Sequence, residues 1–392
     1  MSQDELSSYI EYENFIKIIL SILGLKTSAT DSNSIINRSI LHLQMSMSLL
    51  PMIGIYNFLK TYITNVFFVT RGLSILVSFL TIIIKGFCII LNRQDVNELN
   101  EILSSQYHKF ISNPKMKTTI LKQVTTFRRL SYTMTIFVAI SCLSYVVIPL
   151  ITMINQSING IKPIKHILPF PAIYSWNIPP DSYRFKLHFL NESLTVLSVI
   201  CITVGVDNLY THSVFQMIGF LRVIAYRMIN FNEQNKESSE IVVRECMSQY
   251  ETLINCRNKL QKIYGPIILW TMGTNAIILC AVIFQLSQMN SISVSRIILF
   301  TTYAGAKFSQ VFIYAWASSL LTAESDKCRA AIYAANWVGN KRFMHSIIIM
   351  LSQKPLILTA CNFTVVSMDV FMGVLNTTLS YFLLLNTFAE KT

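Results

Sequence analysis

Four ionisable side chains lie inside stretches that are otherwise apolar: Lys85, Asp207, Lys307 and Asp369. A charged group within a bilayer is costly, so such residues face one another or a water-filled path. The chemistry open to them is ion pairing or ion conduction. Lys307 falls near mid-bilayer, with Asp207 and Asp369 as its expected partners. Lys85, nearer the inner end of its own segment, is expected to snorkel to the interface. Residues for bond-making chemistry are missing. The chain has no His-Glu-x-x-His, no Gly-x-Ser-x-Gly, no phosphate-binding glycine loop and no Cys-x-x-Cys. Its six histidines are scattered without metal-ligand spacing. No enzyme, metal site or cofactor is expected.

The elements that hold these charges are those of a membrane protein. Of 392 residues, 52% are hydrophobic and 13% charged, about half the charged share of a soluble domain. Disorder, collagen, coiled coil and a disulfide-stapled secreted domain are excluded. A crossing helix needs roughly 20 mainly apolar residues. Seven stretches qualify, at about 39–62, 70–91, 131–154, 191–213, 266–288, 297–320 and 356–388. The last is too long for one span, and Asp369 and Gly373 interrupt it. It is expected to hold a cytoplasmic leading helix, a break, and a crossing helix over 366–388. The fourth keeps a helical period past the bilayer, through Gln216 to Met228. In the first 38 residues, Ile10, Phe15, Ile18, Ile22 and Leu25 suit an amphipathic or re-entrant helix at the membrane face, or a short cytoplasmic helix packed on the bundle. With no internal repeat, 1–392 is read as a single all-α, seven-helix membrane domain.

Charge sets the orientation. The net charge is +12, and 22 of the 32 Lys and Arg fall on the side of the N-terminus. Positive loops stay in the cytoplasm, so the N-terminus is expected inside and the C-terminus outside. That is the reverse of a G-protein-coupled receptor. The long external loop between helices three and four carries two acceptor sequons, Asn155-Gln156-Ser157 and Asn191-Glu192-Ser193, although Asn37-Arg38-Ser39 falls on the inside. That loop has no cysteine. All eight cysteines lie in membrane segments or on the cytoplasmic side, where thiols stay reduced. The basic residues are spread over four loops rather than one face, which sets nucleic-acid binding aside.

In the C-terminal third, Ala331-x-Tyr333-x-x-x-Trp337 is followed by Lys354-Pro355-Leu356 and then by Ser380-Tyr381-Phe382-Leu383-Leu384-Leu385. The external loop contains Leu168-Pro169-Phe170-Pro171-Ala172. In the order and spacing of these motifs the chain resembles an insect odorant receptor over essentially its whole length. The resemblance implies a ligand-gated, poorly selective cation channel in the plasma membrane of olfactory sensory neurons. Four subunits would surround one pore, each lending the outer half of its last helix, 366–388. Cytoplasmic parts of helices four to seven, within 191–388, would form a central anchor. The pore constriction would lie at Leu384 and Phe388, with Thr387 beside them. Tyr381, Leu384 and Phe388 also share one helix face by spacing, and an apolar ring can gate by dewetting. The odorant co-receptor and the gustatory receptors tend to have Gln where this chain has Thr387.

No long insertion separates helices four and five, so the chain resembles the ligand-tuning subunits more than the co-receptor. Its expected partners are the odorant co-receptor in a heterotetramer, a small volatile odorant and membrane lipid. A gustatory receptor shares the fold, but its usual Thr-Tyr and late Gln read here as Ser380-Tyr381 and Thr387. A G-protein-coupled receptor needs the opposite orientation, and a transporter an inverted repeat. The implied pocket lies between helices two, three, four and six in the outer part of the bundle. The residues expected there are Leu76, Phe79, Tyr145, Ile148, Leu194, Leu197, Phe300 and Tyr303. Tyr145 and Tyr303 would supply both apolar wall and hydroxyl.

Overall fold

The computed structural model describes residues 2–25, 35–161, 163, 165–179, 182–230, 236–288, 294–335, 341–353 and 355–389. Trp337 and Lys354 of the sequence motifs, the side chains of Phe388 and Asn37, and the basic residues Lys26, Lys162 and Lys391 lie outside the described residues. Eleven helices and a short hairpin are described. In chain order the first six helices are α1 (Ser2–Ile22), α2 (Ile35–Thr61), α3 (Val66–Leu91), α4 (Arg93–Ile111), α5 (Pro114–Leu121) and α6 (Val124–Ile158). Then come α7 (Tyr183–Ile229), α8 (Lys236–Ser287), α9 (Val294–Ala334), α10 (Lys341–Ser352), strands β1 (Thr359–Ala360) and β2 (Thr364–Val365), and α11 (Met368–Ala389).

Six of these, α2, α3, α6, α7, α8 and α11, are long and apolar enough to cross a bilayer. The remaining predicted span, 297–320, lies in α9, whose 41 residues extend about 62 Å at ~1.5 Å each. Lys307, Ser309 and Gln310 dilute its apolar character, and it packs along α7 and α6 in the same bundle. The chain is a multi-pass helical membrane protein. Helix starts follow local chemistry. The Asn65 side chain accepts from the Phe67 and Phe68 amides at 3.1 and 3.3 Å to open α3, and Ser182 caps α7 through the Arg184 amide.

Helix α7 is the axis of the molecule. Every residue from 204 to 224 is buried, the mark of a helix enclosed on all sides. Its neighbours include α1, α4, α5, α6, α8 and α9. Two glycines allow the closest approaches. A Cβ at Gly205 would collide with Leu23 just beyond α1, and one at Gly219 would stand 2.5 Å from the Tyr107 ring of α4. The continuation of this helix to Met228, read from its period, is present.

Helix α1 is seated on the bundle through Tyr9, Tyr12, Ile16 and Leu20, all buried. The Tyr12 hydroxyl lies 3.2 Å from the Thr211 hydroxyl and accepts from Ser131. The opposite face presents Ile10, Ile18 and Ile22 outward.

The leading helix expected before the last span is absent. Residues 356–366 form a hairpin instead, with Thr359 opposite Val365 and Ala360 opposite Thr364. The reason is visible in the burial pattern. Leu356, Leu358 and Ala360 are buried and alternate with half-buried Ile357 and Thr359, a period of two that suits a strand and not a helix. Cys361 and Asn362 turn the chain with φ of 51° and 61°. Helix α11 then begins at Met368, with Asp369 exposed in its first turn. A carboxylate there complements the helix N-terminus. Asp369 is therefore not the partner of Lys307.

Candidate ligand-binding site

Four helices and one loop enclose a cavity of about 70 Å³. Ser78 and Phe79 come from α3, Ser141, Cys142 and Tyr145 from α6, Val196 and Val199 from α7, and Tyr303, Lys307 and Gln310 from α9. The loop contributes Phe170, whose ring meets those of Phe79 and Tyr145 at centroid distances of 5.1 and 5.6 Å. Small polar groups dot a mainly apolar wall, the usual make-up of a site for a small organic molecule.

Phe170 is held in place by a buried carboxylate. Glu192, fully buried on α7, accepts from the Phe170 amide at 2.9 Å and from the Tyr174 hydroxyl at 2.7 Å. The Ile173 amide donates to the Gly54 carbonyl at 2.9 Å. Gly54 is required there, because a Cβ would stand 2.7 Å from that of Ala172. A connecting segment thus becomes one wall of the cavity.

Below the cavity lies a buried charge network. Lys85 donates to Asp207 Oδ1 at 2.5 Å, with both side chains sealed from solvent. Gln310 donates to Oδ2 at 2.7 Å and Tyr314 to Oδ1 at 2.5 Å. This corrects two expectations. Lys85 does not snorkel, because its ammonium is occupied inside the bundle. Asp207 pairs with Lys85 and not with Lys307. The Lys307 ammonium instead stands 5.7 Å from the centre of the Tyr303 ring and borders the cavity.

Of the residues expected around a pocket, Phe79, Tyr145 and Tyr303 line this one. The Tyr303 hydroxyl lies 2.7 Å from that of Ser78 and donates to the Ser74 carbonyl at 3.1 Å. Leu76 packs beside Phe79 without lining the cavity. Ile148 and Phe300 are half-buried, each about one turn from Tyr145 and Tyr303. Leu194 and Leu197 point away, 38% and 50% exposed. The inward positions on that helix are Val196 and Val199. Phe170, Ser141 and Gln310 also line the cavity, and no charge or spacing marks them in the sequence. Lys307 carried a signal, its charge, but charge alone does not say that it faces a cavity. Among the described residues no His, Cys, Asp and Glu cluster is arranged to hold a metal.

The two sequon asparagines differ. Asn155 is exposed near the end of α6. The Asn191 amide nitrogen is buried without a hydrogen-bond partner, so the atom that a glycan needs is covered. At the far end of the chain, Tyr381, Leu383 and Leu384 of α11 are exposed at 47–55%. Thr387 is exposed as well, its hydroxyl donating to the Leu384 carbonyl at 2.7 Å.

A helical bundle crossing the membrane several times, with a small apolar cavity among its helices, defines the class: a multi-pass membrane protein with a cavity inside the bundle. The sequence model of the 7tm Odorant receptor family matches residues 65–379, and the chain belongs to that family. It is similar to Odorant receptor 13a of Drosophila melanogaster, 22% identical over 277 residues and 65% of each chain. It is also similar to Odorant receptor 82a of the same fly, 25% identical over 56% of this chain and 57% of that one. The matches thus span 57–65% of the length of these two relatives. The Odorant receptor coreceptor of Anopheles gambiae is 26% identical over 37% of this chain and 32% of its own. The fold is like that of the insect olfactory receptor OR5 from Machilis hrabei in complex with eugenol. That likeness has a TM-score of 0.78 at 12% identity, covering 97% of this chain and 99% of that one.

Proposed function

We propose that the chain is the odorant-tuning subunit of a ligand-gated cation channel in the plasma membrane of olfactory sensory neurons. The observation that carries this reading is the cavity between α3, α6, α7 and α9, walled by Phe79, Tyr145, Phe170 and Tyr303. A small, mostly apolar volatile binds there by burial and dispersion, at about 25 cal/mol per Å² of apolar surface removed from water. The basic side of the bundle faces the cytoplasm and the C-terminal end of α11 the outside. The chain acts as one domain, its inner helix extensions anchoring a heterotetramer with the odorant co-receptor.

In that assembly α11 lines the ion path, with Leu384 and Phe388 as the constriction and Tyr381 and Thr387 beside it. The exposed apolar outer half of α11 supports this role, since a face open in one chain is available to neighbours around a pore. Helix α9 links the two sites. One face carries Tyr303 and Lys307 to the cavity. Another carries Phe308 and Phe312, whose rings stand 5.2 and 5.6 Å from that of Phe371 at the base of α11. Ligand need only favour the open arrangement, and a hundredfold preference is worth about 2.7 kcal/mol. The Tyr303→Ala variant tests the site. Odorant potency is expected to fall with surface expression kept, while equal loss of both returns Tyr303 to a packing role.

A further inference from the structure

Lys307 is a charge that the fold leaves unanswered. Asp207, its nearest candidate counter-ion, is already taken by Lys85, Gln310 and Tyr314. Among the described residues the Lys307 ammonium has no carboxylate and no hydrogen-bond acceptor, only the Tyr303 ring. A second donor at the same cavity is also idle, since the Ser141 hydroxyl is buried without a partner. With Lys307 protonated, Lys85, Asp207 and Lys307 together carry one excess positive charge. An uncompensated charge in apolar surroundings is costly, and an anion paired to it removes that cost.

We propose that the cavity selects small monocarboxylic acids. Lys307 pairs with the carboxylate, Ser141 donates to it, and the hydrocarbon body lies against Phe79, Tyr145, Phe170 and Val196. This deepens the odorant-cavity reading and rests on it. Alcohols and esters of the same size fill the apolar wall equally well but offer Lys307 only a dipole. The cavity therefore ranks ligands by head group more than by chain.

The test is equilibrium binding to the full-length chain in lipid nanodiscs at neutral pH, with propanoic acid, 1-propanol and methyl acetate as probes. The acid is expected to bind about tenfold or more tighter than either neutral probe, the range of a charge-assisted hydrogen bond. In Lys307→Met that preference disappears, the acid falling to the level of the neutral probes, and in Lys307→Arg the acid preference survives in part. Equal affinity for acid and alcohol in the natural chain overturns the proposal. So does no binding of any probe, or a Lys307→Met variant that weakens all three alike. The Val199→Trp variant separates the two readings. It fills the cavity and is expected to abolish binding of every probe. Undiminished binding there overturns the cavity assignment, whereas loss of all binding together with an indifferent Lys307→Met overturns only the acid selectivity.

Discussion

Lys85 on α3 and Gln310 and Tyr314 on α9 all donate to one carboxylate, Asp207 on α7. Three helices are thereby fixed at the floor of the cavity. Removing one partner of a sealed pair leaves a buried charge and costs about 3–5 kcal/mol. Lys85→Met is expected to lower the detergent melting temperature and surface expression, and Lys85→Met with Asp207→Leu to recover part of both. If the single variant melts like the natural chain, the pair does not organise the bundle. The sequence marks Lys85 and Asp207, since charges inside apolar runs stand out. It does not say who pairs with whom, because Lys85 and Asp207 are 122 residues apart.

At the scale of elements, α4 docks on α8 through Asp95, which accepts from Lys262 at 2.7 Å and Lys259 at 3.2 Å. These ammonium groups hold the Asp95 carboxyl below its ordinary value of 3.8. A depressed carboxylate stabilises the folded state above its unfolded pKa, and that contribution disappears as pH falls through the folded value. Melting temperature is therefore expected to drop below about pH 4 more steeply in the natural chain than in Asp95→Asn. Parallel pH profiles would remove Asp95 from the account. The α9–α11 contact makes a separate prediction. Phe371→Ala is expected to reduce the maximal odorant-evoked current while leaving ligand affinity within about twofold, because it breaks the link without touching the cavity. Helices of this length are legible in sequence, since roughly 20 apolar residues announce a span. Helix phase is not. Leu194 and Leu197 look as apolar as Val196 and Val199, and only packing against α3, α6 and α9 decides which pair turns inward. The hairpin at 359–365 escaped for a related reason: a short apolar run is compatible with either period.

For the whole molecule, one fully enclosed helix, α7, organises the others, and the cavity opens where α3, α6 and α9 part from it. The family was visible in the order of the C-terminal motifs. The cavity's roof was not, because Phe170 reaches it from a loop secured by Glu192 and Gly54, contacts that no local spacing encodes. The most direct test is the odorant dose–response of whole-cell current with G-protein signalling blocked. It compares the natural chain and Phe79→Trp, each co-expressed with the co-receptor at matched surface level. The account predicts that currents persist in the natural chain under the block and vanish in Phe79→Trp. Currents abolished by the block, or a Phe79→Trp response indistinguishable from that of the natural chain, would contradict it.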